Sequence, residues 1–138
     1  MSITEAFCAD RLLNEVEAEI APYRTASLSQ IWDSAAVAAV STWSNQRQRY
    51  QDWLKISDID WSYIEALAIA RNAIVHGLGK LTRQQLQKRQ SNVSKLQSIG
   101  ISVVDDKVQV GDNELSAIAG RCISHIEAVD EKVSLRTR

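Results

Sequence analysis

Arg71 and His76 stand five positions apart in Ala70-Arg71-Asn72-Ala73-Ile74-Val75-His76-Gly77, and with Asn72 they interrupt an otherwise apolar run. A guanidinium cannot act as a base at ordinary pH, but its planar fork suits a phosphate whose charge grows during reaction. His76 falls in the last turn of the helix that this run predicts, beside the partially negative end of the helix dipole, a position suited to proton transfer. Asn72 can orient either neighbour or donate to a phosphate oxygen. Together these residue types match phosphodiester cleavage. In RNA the neighbouring 2′-OH is an internal nucleophile, so a base, an acid and a cation suffice, with no metal.

One chain supplies one such His, whereas acid and base together want two groups. A two-fold dimer that sets both copies of this helix side by side would bring Arg71 and His76 of each subunit into one cleft. His125 is the only other His and lies beside the apolar stripe of the last predicted helix, where a packed or half-exposed role is expected of it. The stripe of the motif helix runs Trp61, Ile64, Leu67, Ala68, Arg71, Ile74 and Val75. It puts Arg71 on the inward face, where Leu would be expected, with Asn72 and His76 to one side. A buried Arg must find a carboxylate, a phosphate or another anion, because an unpaired buried charge is costly.

With these residues in view, the chain resembles the HEPN family (higher eukaryotes and prokaryotes nucleotide-binding). Its ribonuclease members carry Arg, a polar residue that is often Asn, three to five others, then His; Arg71-Asn72-Ala73-Ile74-Val75-His76 fits position by position. The resemblance implies a single helical HEPN-like domain over residues 1–138, dimerisation through the motif helices, and metal-independent endoribonuclease activity that leaves a cyclic phosphate. It also implies a toxin or anti-phage effector restrained by a partner, often a nucleotidyltransferase antitoxin. Members modified by such an antitoxin can carry Tyr two positions after the His; this chain has Leu78. Two other readings remain. One is a non-catalytic HEPN module that binds a nucleotide or a protein partner, with Arg71 paired to a buried acid such as Glu65 from either subunit. The other is a helical interaction domain in which Arg71 is a structural ion pair.

The elements that must position these residues read as an all-α chain, an antiparallel bundle of about five helices with a short β-hairpin before the last. Ser2-Ile3-Thr4-Glu5 has capping-box form and opens a helix with Leu13, Val16 and Ile20 on one stripe, ended by Pro22. Ser27-Leu28-Ser29-Gln30 predicts the start of one long helix to about Leu54, with the polar run Asn45–Arg49 as a break or an exposed end. Ser57-Asp58-Ile59-Asp60 predicts the start of the motif helix, and Gly77 its left-handed stop. A fourth box, Thr82-Arg83-Gln84-Gln85, predicts a peripheral helix to Gly100 with a thin stripe of Leu86, Val93 and Leu96. Alternation on both sides of Asp105-Asp106 predicts a hairpin, and Asp112 or Asn113 caps a final helix with Leu115, Ile118, Cys122, Ile126, Val129 and Val133 on one face.

Composition narrows the class. At 138 residues the chain suits one compact domain, and one Pro and five Gly fit a helical body. Cys8 and Cys122 match neither a CxxC spacing nor a disulfide framework and read as buried thiols. With two His and no ligand spacing, neither a metal nor a cofactor is expected. The apolar runs are too short for a membrane span and no signal peptide is evident, so a cytoplasmic protein is expected. Charge is unevenly spread: residues 1–20 hold Glu5, Asp10, Glu15, Glu17 and Glu19 against Arg11 alone, while residues 77–99 hold Lys80, Arg83, Lys88, Arg89 and Lys95 and no acid. The basic block follows the motif directly, so Lys80, Arg83, Lys88 and Arg89 are the candidate RNA-binding residues. Trp32, Trp43, Trp53 and Trp61 fall on helical spacing and read as packing residues.

Overall fold

A computed structural model of the chain describes residues 2–136, which contain seven α-helices, one short 3-10 turn and a two-stranded antiparallel sheet. The helical class matches the sequence; the number of helices exceeds five because two of the expected helices are each broken in two. The described residues sort into two compact units, one made of residues 2–59 with 122–136, the other of Asp60–Arg121. No helix among the described residues is long and apolar enough to cross a membrane.

In the first unit, α1 (Ile3–Ile20) opens with the capping box read from the sequence: Glu5 N donates to Ser2 Oγ at 3.2 Å and Ser2 N to Glu5 Oε2 at 3.4 Å. Pro22 follows in the 3-10 turn Ala21–Tyr23. Thr25, not Ser27, caps α2 (Ala26–Ala39), accepting from Leu28 N at 3.1 Å. The expected long helix then stops, because Thr42 caps a new one, α3 (Trp43–Leu54), and accepts from Asn45 N at 3.0 Å. Asn45 Nδ2 donates to Ala38 O at 3.1 Å and to Ser41 Oγ at 2.8 Å, so the polar run Asn45–Arg49 is not the break but part of the helix after it, and its first amide joins Ser41 N and Oγ on a last-turn carbonyl of α2.

The core of this unit joins Cys8 and Leu12 of α1, Trp32 of α2, Tyr50 and Leu54 of α3, and Val129 and Val133 of α7 (Asp112–Arg136). Tyr50 is fully buried and its hydroxyl donates to Cys8 O at 2.6 Å. The expected α1 stripe of Leu13, Val16 and Ile20 is only half-buried; the inward positions include Cys8, Leu12 and Glu15. A carboxylate can sit there because two guanidiniums meet it, Arg11 Nη1 at 3.2 Å and Arg136 Nη1 at 3.4 Å, while Arg136 also pairs with Glu19 and Arg11 with Asp130 at 2.9 Å. His125 is buried, Trp32 lies 5.5 Å from Trp53 between ring centroids, and Trp43 is half-buried.

The second unit is built on α4 (Ser62–Gly77). It starts five residues after the Ser57 box, because Asp60 Oδ1 holds Ser62 through its N at 2.9 Å and its Oγ at 2.6 Å. Its end differs too: Gly77 is the last helical residue, and Leu78 takes the left-handed conformation (φ 53°), followed by Gly79 (φ 93°). Thr82 and Gln85 form the expected box on α5 (Arg83–Leu86), at 3.2 and 2.9 Å, but this helix lasts one turn. Lys88 breaks it before α6 (Arg89–Ser98), and Asn92 Nδ2 takes up Gln85 O at 2.8 Å across the break. Strands β1 (Ser102–Val104) and β2 (Lys107–Gln109) form the expected hairpin, with Asp105 and Asp106 both at positive φ (51° and 62°), the backbone of a type I′ turn. The hairpin in turn holds the linker after α4: Leu81 N donates to Asp106 O and Val108 N to Gly79 O, each at 2.8 Å. Ala70, Ala73, Leu81, Leu96, Ile101 and Val108 make its core, with Ile118 of α7 packed against them. On α7, Leu115 is exposed although the expected stripe includes it.

Burial pushes the Cys8 thiol up from 9.0 to about 12 and raises the Tyr50 phenol above its ordinary range. Both groups are held neutral in the folded state, and the stability linked to Cys8 is complete below pH 9.0 and is lost as pH climbs through about 12. At mildly alkaline pH a thiol reagent should modify Cys122, which is partly exposed, and reach Cys8 only on unfolding. Tyr50→Phe should lower stability by about 1 kcal/mol in a urea melt.

Candidate functional site

In α4 the stripe that reaches the core of this unit is Ala66, Ala70 and Ala73, spaced by four and three; Ile64, also buried, lies on the other stripe, in line with Arg71. Of these small residues Ala70 and Ala73 pack with Leu96 of α6 and Val108 of β2, the elements against which α4 lies. The stripe expected from the sequence is buried only in its first half: Trp61 and Ile64 are buried and Leu67 half-buried, whereas Ile74 and Val75 are 50% and 54% exposed. Arg71 leaves the core with them. It lies one residue beyond the inward Ala70, about 100° around the helix, and is exposed, which corrects the expectation of a buried guanidinium. No carboxylate among the described residues of the same chain pairs with it, Glu65 included. Its recorded contact is with its neighbour, Nη1 donating to Asn72 Oδ1 at 3.4 Å.

His76 lies in the last turn of α4 and is exposed. Together with Ile69 and Asn72 it forms one wall of a cleft of about 850 Å³ whose other wall comes from residues 82–92. The cleft brings Asn72 and His76 together with Arg83 and Lys88, two of the four expected RNA-binding residues. The other two lie outside it. Arg89 is held by Asp106 at 2.5 Å, and with Lys88 it borders a separate depression of about 550 Å³. Lys80 is exposed, its backbone bridged to Lys107 where the linker meets the hairpin.

The wall opposite His76 also carries amides that the sequence reading did not single out: Gln84, Gln85, Gln87 and Asn92. Two of them are committed to structure, Gln85 through Thr82 N and Ile69 O (each 2.9 Å) and Asn92 through Gln85 O. The signal was available in the run Thr82-Arg83-Gln84-Gln85-Leu86-Gln87-Lys88-Arg89-Gln90-Ser91-Asn92, where amides alternate with cations and no acid intervenes. No carboxylate lines the cleft, so its field is that of Arg83, Lys88 and the nearby Arg71. Such a surface suits an anion with hydrogen-bonding edges. Among the described residues no three His, Cys, Asp or Glu side chains converge to hold a metal ion.

Beside the cleft, Leu78 is 91% exposed in a left-handed backbone conformation that is uncommon for a bulky residue, and it continues the uncovered face of Ile74 and Val75. The exposure of Arg71 has a direct thermodynamic consequence. Arg71→Leu should change stability in a urea melt by less than about 0.5 kcal/mol. A loss of about 3–5 kcal/mol would instead mean that a buried ion pair had been broken.

No protein-family model, no curated protein and no solved structure matches the chain.

Proposed function

We propose that the chain is a HEPN-type endoribonuclease that cleaves RNA without a metal, at a site shared by two copies of the chain. The observation that carries this reading is the exposed face of α4, where Arg71, Asn72 and His76 accompany the uncovered Ile74, Val75 and Leu78. Large aliphatic residues left in water beside polar, chemically competent ones are what a second subunit would cover. Pairing the two α4 faces about a two-fold axis gives one cleft two imidazoles and two guanidiniums.

In the proposed reaction the 2′-oxygen of RNA attacks the adjacent phosphorus. One His76 takes the 2′-OH proton, and the partner subunit's His76 gives a proton to the departing 5′-oxygen. The new 2′-O–P bond replaces the P–O5′ bond, leaving a 2′,3′-cyclic phosphate and a 5′-OH. Arg71 offers its fork to the phosphate oxygens as charge gathers on them, and Asn72, which accepts from Arg71, holds the guanidinium in place. Arg83 and Lys88 hold flanking phosphates in the cleft beside His76; Lys80 and Arg89 extend the basic surface. A cytoplasmic toxin or anti-phage effector, restrained by an antitoxin or another regulatory protein, is the setting that fits such an activity. With Leu78 two residues after His76, control by nucleotidylation of a Tyr at that position has no acceptor here.

Purified protein incubated with mixed RNA in EDTA should cleave it, and His76→Ala or Arg71→Ala should each reduce the rate by about 10²-fold or more with folding intact. RNA that is bound but never cut would favour a non-catalytic binding module. Leu78→Asp should shift a sedimenting dimer to monomer and abolish cleavage; a wild-type monomer at assay concentrations would refute the shared site. Neutralising Arg83 and Lys88 should lower the slope of log affinity for single-stranded RNA against log salt by about 1.4, at roughly 0.7 per phosphate contact. Arg89→Gln should change it less, since Asp106 already holds that guanidinium.

A further inference from the structure

The cleft beside His76 has cations and amides on its walls, but no Phe, Tyr or Trp side chain among the described residues that line it. RNA bound there has its phosphates met and its bases left without a surface to stack on. A stacking surface stands at the other end of α4. There a recess of about 520 Å³ is walled by Ser62 and Tyr63 of α4, Ser98 at the end of α6, Ile99, and Ala117 and Arg121 of α7. Ser62 of the recess, then Ile69 and His76 of the cleft, follow one another at intervals of seven residues, close to two helical turns, so recess and cleft lie along one face of α4. From Ser62 to His76 the helix rises about 20 Å.

The recess is organised around Arg121. Its guanidinium carbon stands over the Tyr63 ring, 4.3 Å from the centroid, and the residue is exposed. No carboxylate among the described residues pairs with it. Stacking on Tyr63 holds the guanidinium plane by one face and leaves the other face to a ligand. The remaining walls decide which ligand. Two hydroxyls have committed their protons, Ser62 Oγ to Asp60 Oδ1 and Ser98 Oγ to Lys95 O, each at 2.6 Å, so they present lone pairs to the recess. A phosphate there would meet those lone pairs and, one hydrogen bond behind Ser62, the Asp60 carboxylate, with Arg121 as the only cation among the described residues that line the recess. A neutral planar ring is better served. It can lie on the guanidinium against Ile99 and Ala117, with its N–H groups turned to the serine oxygens.

We propose that this recess is a second nucleotide subsite, in which an unpaired base of an RNA strand running along α4 from the His76 cleft stacks on Arg121. The inference rests on the reading of the cleft as an RNA site, but not on cleavage. Every base has a π-face and an N–H group, so the subsite selects for strand length and not for sequence. At about 3.4 Å per stacked nucleotide, the strand reaches Arg121 about six nucleotides from the cleft, or fewer where it is extended.

The test is binding of 2′-fluoro single strands of about four and about twelve nucleotides, which cannot supply the internal nucleophile, to the full chain by fluorescence anisotropy. The longer strand should bind at least about tenfold more tightly, and Arg121→Ala should remove about tenfold from its affinity while leaving the shorter strand unchanged. Arg121→Lys keeps the charge and loses the plane, so it should behave like Arg121→Ala. A long strand built of abasic spacers, which keeps the phosphates, should lose about tenfold more affinity for the wild type than for Arg121→Ala. Circular dichroism of each variant establishes that folding is retained. Full affinity in Arg121→Lys would mean a phosphate contact and would overturn the proposal, as would an unchanged affinity in Arg121→Ala or equal losses of both proteins on base removal. If Arg83→Ala with Lys88→Ala still weakens binding in that case, the cleft remains an RNA site without the recess; no binding of any strand at low salt would remove both. Arg121-dependent stacking without any cleavage of ordinary RNA would leave this inference standing and remove the ribonuclease reading.

Discussion

The packing of α4 is the constraint on which the rest of the second unit depends. Beyond its first turn this helix buries the stripe of Ala66, Ala70 and Ala73, whose small side chains let its backbone lie close to α6 and β2. That choice fixes the rotation of the helix and turns Arg71, Asn72 and His76 outward. A guanidinium in water incurs no desolvation cost and needs no buried counter-ion, so it is available to a ligand rather than consumed by the fold. The same rotation strands Ile74 and Val75 on the surface, where they oppose solubility unless something covers them.

The wall facing His76 is set by a second chain of local decisions. The stop at Leu78 and Gly79 sends the chain into a linker that the hairpin secures by backbone hydrogen bonds at Leu81 and Gly79. Asp106 serves this joint three times: it adopts a positive φ in the turn, its carbonyl accepts from Leu81, and its carboxylate holds Arg89 of α6. From that anchored linker the Thr82–Gln85 box launches α5, and Asn92 ties the break before α6. Arg83, Gln84, Gln87 and Lys88 thus stand on short, pinned segments, an arrangement that limits the ordering cost of binding a ligand.

What could be read from the sequence was what local chemistry decides. The boxes at Ser2–Glu5 and Thr82–Gln85 and the hairpin at Asp105–Asp106 form as their spacing predicts, because each is satisfied within a few residues. The helix starts at Thr25, Thr42 and Ser62 do not follow from spacing alone, since several hydroxyl and carboxyl residues compete to cap in each of those stretches. Arg71 was assigned to the correct stripe but the wrong environment. Periodicity identifies which residues share a helix face; what lies opposite that face is decided by distant parts of the chain. The amides opposite His76 follow no apolar period, so pattern reading passed over them, and the buried Glu15 is intelligible only with Arg136, far along the sequence, beside it.

The central claim is that exposed Arg71 and His76 serve RNA cleavage by the internal 2′-OH. Analysis of the RNA ends produced by the purified chain in EDTA tests it most directly. The account predicts 2′,3′-cyclic phosphate and 5′-OH termini that disappear with His76→Ala. Uncut RNA, or fragments ending in 5′-phosphate, would contradict it.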